Sequence, residues 1–332
     1  MAVTLKDIAK VAGVSYATVS RALSNHPDVS PETRERIKKI AKEMNYVPDP
    51  SARGLKGKNT NMIGLVVPDI SNPFFSELAL GVESFANEHG YCVFLCNTNW
   101  DYEREKTYVD ILKAKRVDGV IISSVIENAT HHKKLSLPLV YITEGPKSDD
   151  IYYVGIDNKT GAVLGVEYLI KLGHKDIVYI GGSEKTSTNR ERFEGYKETM
   201  QKHGYTVKAN VRTSDSFSQE SGYKAAMEML IKSEIPTAVF AVNDIVALGV
   251  IQAIEEFGLK VPEDISIVGF DDIAFSSMHR IKLTTISQPK FEMGRLSAEL
   301  LINLIKQENV GQKINIIQPS LIIRDTCRAI KD

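Results

Sequence analysis

The chain has 332 residues, 43% hydrophobic and 25% charged, with a net charge of −1. At ~150 residues per domain this predicts about two domains with a sizeable core, and it excludes a mainly disordered chain. The near-zero charge hides an asymmetry, since residues 1–60 hold 11 Lys+Arg against 6 Asp+Glu and the remainder holds 30 against 36.

A basic head on an acidic body predicts that the head meets a polyanion; a merely soluble head is the alternative. The opening MAVTLKDIAK lacks the apolar core of a signal peptide, which predicts a cytoplasmic protein. In the first helix Thr4 and Asp7 form a capping-box pattern, with Asp in place of Glu. Leu5, Ile8, Ala9 and Ala12 follow at helical spacing, and Gly13 closes the helix. Ser15 can cap a second helix, Tyr16 to Leu23. In it Ala17, Val19 and Ala22 can face inward, and Tyr16, Thr18 and Arg21 outward. Ser30-Pro31-Glu32 starts a third helix. That helix is expected to run to about Met44 with Ile37, Ile40 and Ala41 inward, and Pro48 and Pro50 end the unit. Two short helices about a glycine turn, with a supporting third, read as a helix-turn-helix whose second helix enters a major groove. A generic three-helix bundle is the alternative.

The run VTLKDIAKVAGVSYATVSRALSN, followed by VSPETRERIKKIAKEMNYVPDPSARGLKGK, resembles the head of the LacI/GalR family of bacterial transcription regulators. The resemblance continues through essentially the whole chain. It implies that Tyr16 and Ala17 occupy base-reading positions, with Arg21 close behind. Ser15, Thr18 and Ser20 would be phosphate contacts or caps, and Thr4 joins the DNA-contacting set. Ala17 offers only a methyl, which can meet a thymine methyl but donates no hydrogen bond. Residues 49–57, DPSARGLKG, read alone as a linker with one turn capped by Ser51. By resemblance, residues 49–60 are a hinge that becomes helical on specific DNA as a dimer. Leu55 would then be the apolar lever in a minor-groove step, with Ala52, Arg53 and Lys56 beside it on groove or phosphates. Gly54 costs a helix ~1 kcal/mol, so this hinge is expected to be mostly unfolded off DNA.

From Asn61 onward strands alternate with amphipathic helices. Strands are predicted at 62–68, 91–97, 119–124, 138–143, 151–156, 176–181, 237–242 and 265–270. Helices are predicted at about 74–89, 101–115, 158–172, 189–203, 219–232, 243–257 and 290–307. Continuous apolar strands separated by helices predict parallel sheets covered on both faces, here two doubly wound halves. The predicted class is therefore α/β, with a helix-turn-helix domain at 1–48, a hinge at 49–60 and an effector-binding and dimerisation domain at 61–332. Within the last, a first lobe would take about 61–160 plus 290–320, and a second about 161–288 plus the C-terminal segment. Cys92 and Cys96 share a face at period two and read as buried free thiols; with Cys327 they fit a reducing compartment better than a metal site. His131-His132 reads as a solvated surface pair.

In doubly wound sheets ligands sit beyond the carboxyl ends of the strands. PDISNPFF, GGSEKTSTNRERFEGY, NDIVALG, DDIAFSS and SQP stand at such ends. Arg192, Asn243, Asp271 and Gln288 offer donors and acceptors there, and Phe74, Phe75 and Phe217 offer flat apolar faces. Polar clamps with aromatic stacking match a sugar, which carries hydroxyls at its edge and C–H groups on its faces. Singly these residues have plainer readings: Asn243 as a helix cap, Asp271 in a turn, the Phe pair in the core. Their common place at strand ends favours the site. The body also resembles periplasmic sugar-binding proteins, and NPFF, RER-x-EG, Asn-Asp, GFD and SQP resemble the ribose-binding pattern. That resemblance implies effector contacts at Asn72, Phe74, Phe75, Arg192, Phe217, Asn243, Asp271 and Gln288. The chain departs from the pattern at Thr143-Glu144, where an Asp-Arg pair would stand, so a different pentose, a hexose or a nucleoside is open. Arg190 reads either as a reach to a phosphate or carboxylate, or as a surface charge.

The leading expectation is a repressor, acting as a homodimer on palindromic double-stranded operator DNA and controlled by a small effector, a sugar in first place. A catabolite-control mode with a phosphorylated carrier protein as corepressor, and a purine or nucleoside response, are alternatives. A sugar-transport receptor is disfavoured by the basic head. An enzyme is disfavoured because G-x-G-x-x-G after a strand, G-x-x-x-x-G-K-[ST], H-E-x-x-H and G-x-S-x-G are all missing, and Gly181-Gly182 is a weak phosphate signal. No metal, cofactor or membrane is called for. The tail TCRAIKD has no heptads, so a coiled-coil tetramer is not expected.

Overall fold

The computed structural model describes residues 3–46, 60–126, 131–145, 148, 150–210, 217–232 and 235–330. Contacts divide the chain into two compact units, Met1–Thr60 and Asn61–Asp332. The expected hinge, with Ser51, Ala52, Arg53, Gly54, Leu55 and Lys56, lies outside the described residues. No helix among the described residues is long and apolar enough to cross a membrane.

The first unit holds α1 (Leu5–Ala12), α2 (Tyr16–Leu23) and α3 (Pro31–Glu43). Each begins on the cap its sequence offers. Thr4 and Asp7 complete a reciprocal capping box, Ser15 accepts from Thr18 N, and Ser30 accepts from Thr33 N ahead of Pro31. Gly13 ends α1 at φ +64°, a left-handed conformation that a Cβ would strain. Ile8, Ala12, Val19, Ala22, Val29, Ile37 and Ala41 form the buried core. Two arginines of α3 tie down the turns, with Arg34 donating to His26 O and Val29 O, and Arg36 to Ala12 O. Ala17 is exposed, against the inward position read from helical spacing.

The second unit contains two six-stranded sheets. The first joins β1 (Met62–Val67), β2 (Cys92–Asn97), β3 (Gly119–Ile122), β4 (Leu139–Ile142), β5 (Tyr152–Ile156) and β11 (Ile314–Ile317) in the order β11-β5-β4-β3-β1-β2. The second joins β6 (Ile177–Ile180), β7 (Lys208–Asn210), β8 (Ala238–Ala241), β9 (Ser266–Asp271), β10 (Thr284–Ser287) and β12 (Ser320–Ile322) in the order β12-β10-β9-β8-β6-β7. All pairings are parallel except β10 with β12. Helices α4 (Pro73–Glu88), α5 (Tyr102–Ala114), α6 (Asn158–Lys171), α7 (Ser187–Lys202), α8 (Gln219–Ile231), α9 (Asp244–Glu256) and α10 (Lys290–Lys306) cover them. Central strands such as β3, β6 and β8 are buried throughout, which is why they read as unbroken apolar runs. The chain passes between the sheets after β5, after β10 and after β11. After β10, α10 returns to the first lobe and lies against α4, where Gly81 faces Phe291 O and Gly294 faces Leu78 O so closely that a Cβ fits at neither.

Two expectations are corrected here. Cys96 is buried but Cys92 is exposed, because β2 is an edge strand and only its end is covered by α5. His131 and His132 are not a solvated pair. They lie on a short 3-10 turn and fold inward onto Glu105, with His132 and Glu105 fully buried. A polar stretch of sequence conceals two side chains that have a buried carboxylate to meet.

Candidate functional site

The carboxyl ends of both sheets face a cleft of about 540 Å³, its open mouth included. All eight residues predicted as effector contacts line it: Asn72, Phe74, Phe75, Arg192, Phe217, Asn243, Asp271 and Gln288. Local chemistry puts each in place. Asn72 caps α4 by accepting from Phe74 N, and Asn243 caps α9 by accepting from Val246 N, so these two act as caps while also facing the cleft. Phe74 and Phe75 meet edge to face at 5.0 Å and also belong to the first lobe's core. The plain roles of cap and core are thus filled by side chains that also line the cleft.

Arg192 and Asp271 are the polar centre. The guanidinium, buried on α7, lies 3.6 Å over the Phe270 ring. Its Nε donates to Asn158 Oδ1, and one terminal nitrogen donates to Val242 O and to Asp271 Oδ1. Gln288 Nε2 also donates to Asp271 Oδ1, at 2.6 Å. The buried Lys290 ammonium donates to Asp271 O and Asp272 O, which anchors the loop that presents the carboxylate. Burial pushes the Asp271 carboxyl up, against the pull of Arg192 and Lys290. Burial likewise lowers Arg192, but a guanidinium keeps its proton even so. Backbone strain gathers here, since Asp271 sits at φ +112° and the β-branched Thr143, across the cleft, at φ +61°. Such conformations persist only where neighbours enforce them. Thr143 is held by Ser123 Oγ at 2.7 Å and by Val154 O.

Eight lining residues escaped the sequence reading as contacts: Trp100, Ser123, Thr143, Glu144, Ile156, Asn158, Thr186 and Thr188. Ser123, Thr143, Ile156 and Asn158 stand at or just past predicted strand ends, so the strand-end rule applied to every strand would have found them. Trp100, the one tryptophan of the chain, meets Phe75 of the first lobe at 6.3 Å and Phe217 of the second at 5.0 Å. Gly182 has no phosphate-cradling space, because the Phe217 ring packs where its Cβ would be. Glu144 is the larger surprise. Its buried carboxylate crosses to the second lobe and accepts from Ser187 N, Ser187 Oγ and Thr188 N at 3.1, 2.7 and 2.7 Å, at the N-terminus of α7. Burial raises its pKa, and the hydrogen bonds from Ser187 and Thr188 oppose the rise only in part.

On the head, Thr4, Ser15, Tyr16, Ala17 and Arg21 are exposed, and Thr18 and Ser20 half-buried. Ser15 Oγ and Thr18 Oγ1 lie 2.9 Å apart at the start of α2. The exposed face of α2 thus begins with Tyr16 and Ala17 beside two hydroxyl groups.

A small helix-turn-helix unit in the same chain as a two-lobed α/β clamp defines a ligand-responsive transcription regulator. Residues 4–49 match the model of bacterial regulatory proteins of the lacI family, and residues 166–327 match that of the periplasmic binding protein-like domain. The HTH-type transcriptional repressor CytR of Escherichia coli is 38% identical over 332 residues, covering 99% of this chain and 97% of its own. The ribose operon repressor of Halalkalibacterium halodurans is 37% identical over 325 residues, covering 98% and 97%. The crystal structure of the lac repressor dimer bound to operator and the anti-inducer ONPF superposes with a TM-score of 0.87 at 33% identity, covering 99% of this chain and 100% of that one. The chain belongs to the LacI family of bacterial DNA-binding transcription regulators, and its relatives are regulators and not enzymes.

Proposed function

We propose that the protein is a cytoplasmic homodimeric repressor of sugar-utilisation genes, released from a palindromic operator by a small sugar, a pentose in first place, bound in the cleft. The observation that carries the ligand class is the convergence of the buried Arg192–Asp271 pair with Asn243 and Gln288, walled by Phe74, Phe75, Trp100 and Phe217. Polar groups of both signs serve hydroxyls at a ring edge, and aromatic faces serve its C–H groups. The relative named ribose operon repressor supports a sugar regulon. A nucleoside is the second reading. The Trp100–Phe217 pair, 5.0 Å apart and tilted by 41°, is the observation that favours it, since such a wall also suits a planar base.

In this reading residues 1–48 read the operator, 49–60 form the hinge and 61–332 bind effector and dimerise. Tyr16, Ala17 and Arg21 address base edges, while Thr4, Ser15, Thr18 and Ser20 address phosphates or hold the helix start. Leu55 of each chain unstacks a central step, flanked by Ala52, Arg53 and Lys56. One head contacts few bases, so two on a palindrome supply the specificity, with half-sites matched to the dimer axis. Effector favours the closed lobes and shifts the hinge equilibrium only by its differential affinity for the two states, ~10⁴-fold for a complete switch. The test is a thermal-shift screen of sugars and nucleosides, followed by operator release with each hit. A pentose that stabilises the protein and releases operator supports the proposal. Stabilisation by nucleosides alone replaces the ligand, and operator affinity that resists rising salt removes the DNA reading.

A further inference from the structure

Behind the first lobe's wall of the cleft, α5 and the turn after β3 bring Glu105, His131 and His132 together in the interior. Both imidazole Nε2 atoms converge on one carboxylate oxygen: His132 Nε2 lies 3.0 Å and His131 Nε2 3.2 Å from Glu105 Oε1. The three ligand atoms lie within 4.8 Å of one another. A carboxylate between two imidazoles has a plain explanation, a hydrogen-bonded brace, and His132 fits it. His131 does not. Its Nε2 misses hydrogen-bond geometry despite the short approach, and among the described residues neither of its ring nitrogens has a hydrogen-bond partner, although both are buried. A buried ring with two unsatisfied nitrogens is costly unless something else takes a lone pair.

We propose that Glu105, His131 and His132 form a binding site for one Zn(II) ion. The spacing suits the ion, because ligand atoms ~2.0–2.1 Å from a tetrahedral zinc stand roughly 3.3 Å apart. Two imidazoles and a carboxylate, with a fourth position for water, make a donor set that zinc accepts. The supports expected behind metal ligands are also present. Glu105 Oε2 accepts from Val125 N at 2.7 Å, Ser124 Oγ donates to Oε1, and Tyr141 OH lies 3.4 Å from His132 Nδ1. Ser124 adjoins Ser123, and Tyr141 on β4 stands two residues before Thr143, so zinc would stiffen two of the strand ends that line the cleft.

The experiment uses untagged full-length protein carrying Cys92→Ser, so that the exposed thiol takes no metal, stripped with chelator and titrated with zinc alone. One zinc per chain is expected, with affinity at least about 10-fold lower in Glu105→Gln and in His131→Ala. No uptake by the parent protein leaves the triad a brace and overturns the proposal, as does uptake that both variants retain in full. Co(II) loading of the parent protein decides independently should a variant fail to fold. Strong visible absorption of a four-coordinate centre supports the site, and the faint spectrum of six-coordinate Co(II) refutes it.

Discussion

Asp244 follows the cleft-lining Asn243 and is wholly buried, yet its carboxylate carries much of the second lobe's loop structure. It accepts from Ile273 N, Ser276 Oγ and Thr285 Oγ1. Burial, with the nearby Asp271 charge, pushes its pKa from 3.8 up to about 7. The unfolded chain releases this proton near 3.8, whereas the folded chain keeps it to about 7, so between those values the folded state binds more protons. Stability therefore falls as pH rises through that window. Asp244→Asn removes the titration and keeps an acceptor for Ile273 N; its chemical-denaturation stability should vary less between about pH 4 and pH 7 than the wild type's. Equal slopes would place the carboxyl's titration elsewhere. Asp271 tests the cleft itself. Asp271→Asn preserves shape and an oxygen for Gln288 while removing the charge opposite Arg192. Effector affinity should drop at least about tenfold, roughly 1.4 kcal/mol, with operator affinity unchanged; loss of operator binding in the folded variant would count against an effector role. The sequence showed Asp271 through its place at a strand end. It could not show Asp244 as the loop's anchor, because an Asp after a cap residue looks like any first-turn acid.

Strands and helices of the interior were legible because burial on both faces leaves an unbroken apolar run, as in β1, β3, β6 and β8. β7, β10, β11 and β12 were not among the predicted strands, although SQP at the end of β10 was read as a strand end. They are three or four residues long, they lie at or next to sheet edges, and β11 alternates exposed with half-buried positions. Nothing local distinguishes such segments from loop; their pairing partners, distant in sequence, define them. His131 and His132 were misread for the same reason, since Glu105 reaches them from another element. Helix contact is also a long-range property, and the α4–α10 pair offers its test. Gly294 meets the backbone at Leu78 with no room for a methyl. Gly294→Ala gains helix propensity of about 1 kcal/mol but must part the two helices, at about 1–3 kcal/mol for overpacking. A net loss in melting temperature is expected by calorimetry; a gain would show that the helices separate freely.

At the scale of the molecule, the question is what holds the lobes together when no effector bridges them. Glu144 and the start of α7 provide a direct link: one first-lobe carboxylate takes three donors from Ser187 and Thr188. The α7 dipole adds attraction, because free N–H groups and partial positive charge gather at a helix N-terminus. Charge-assisted hydrogen bonds contribute about 1.5–3 kcal/mol each where they are well made. Losing even one such contribution from the closed form shifts an open–closed equilibrium roughly tenfold or more. Position 144 is also where the chain departs from the ribose-like pattern, so where that pattern has a clamp on ligand this chain has a link to its other lobe. Trp100 reports the outcome, since it is the chain's one tryptophan and touches Phe75 and Phe217 on opposite lobes. Glu144→Ala should therefore red-shift the ligand-free emission and raise acrylamide quenching, as water enters between the rings. A saturating effector should reverse both changes, because ligand contacts to both lobes replace the missing link. Emission and quenching identical to the wild type would mean that aromatic packing and Lys290 hold the lobes closed without Glu144.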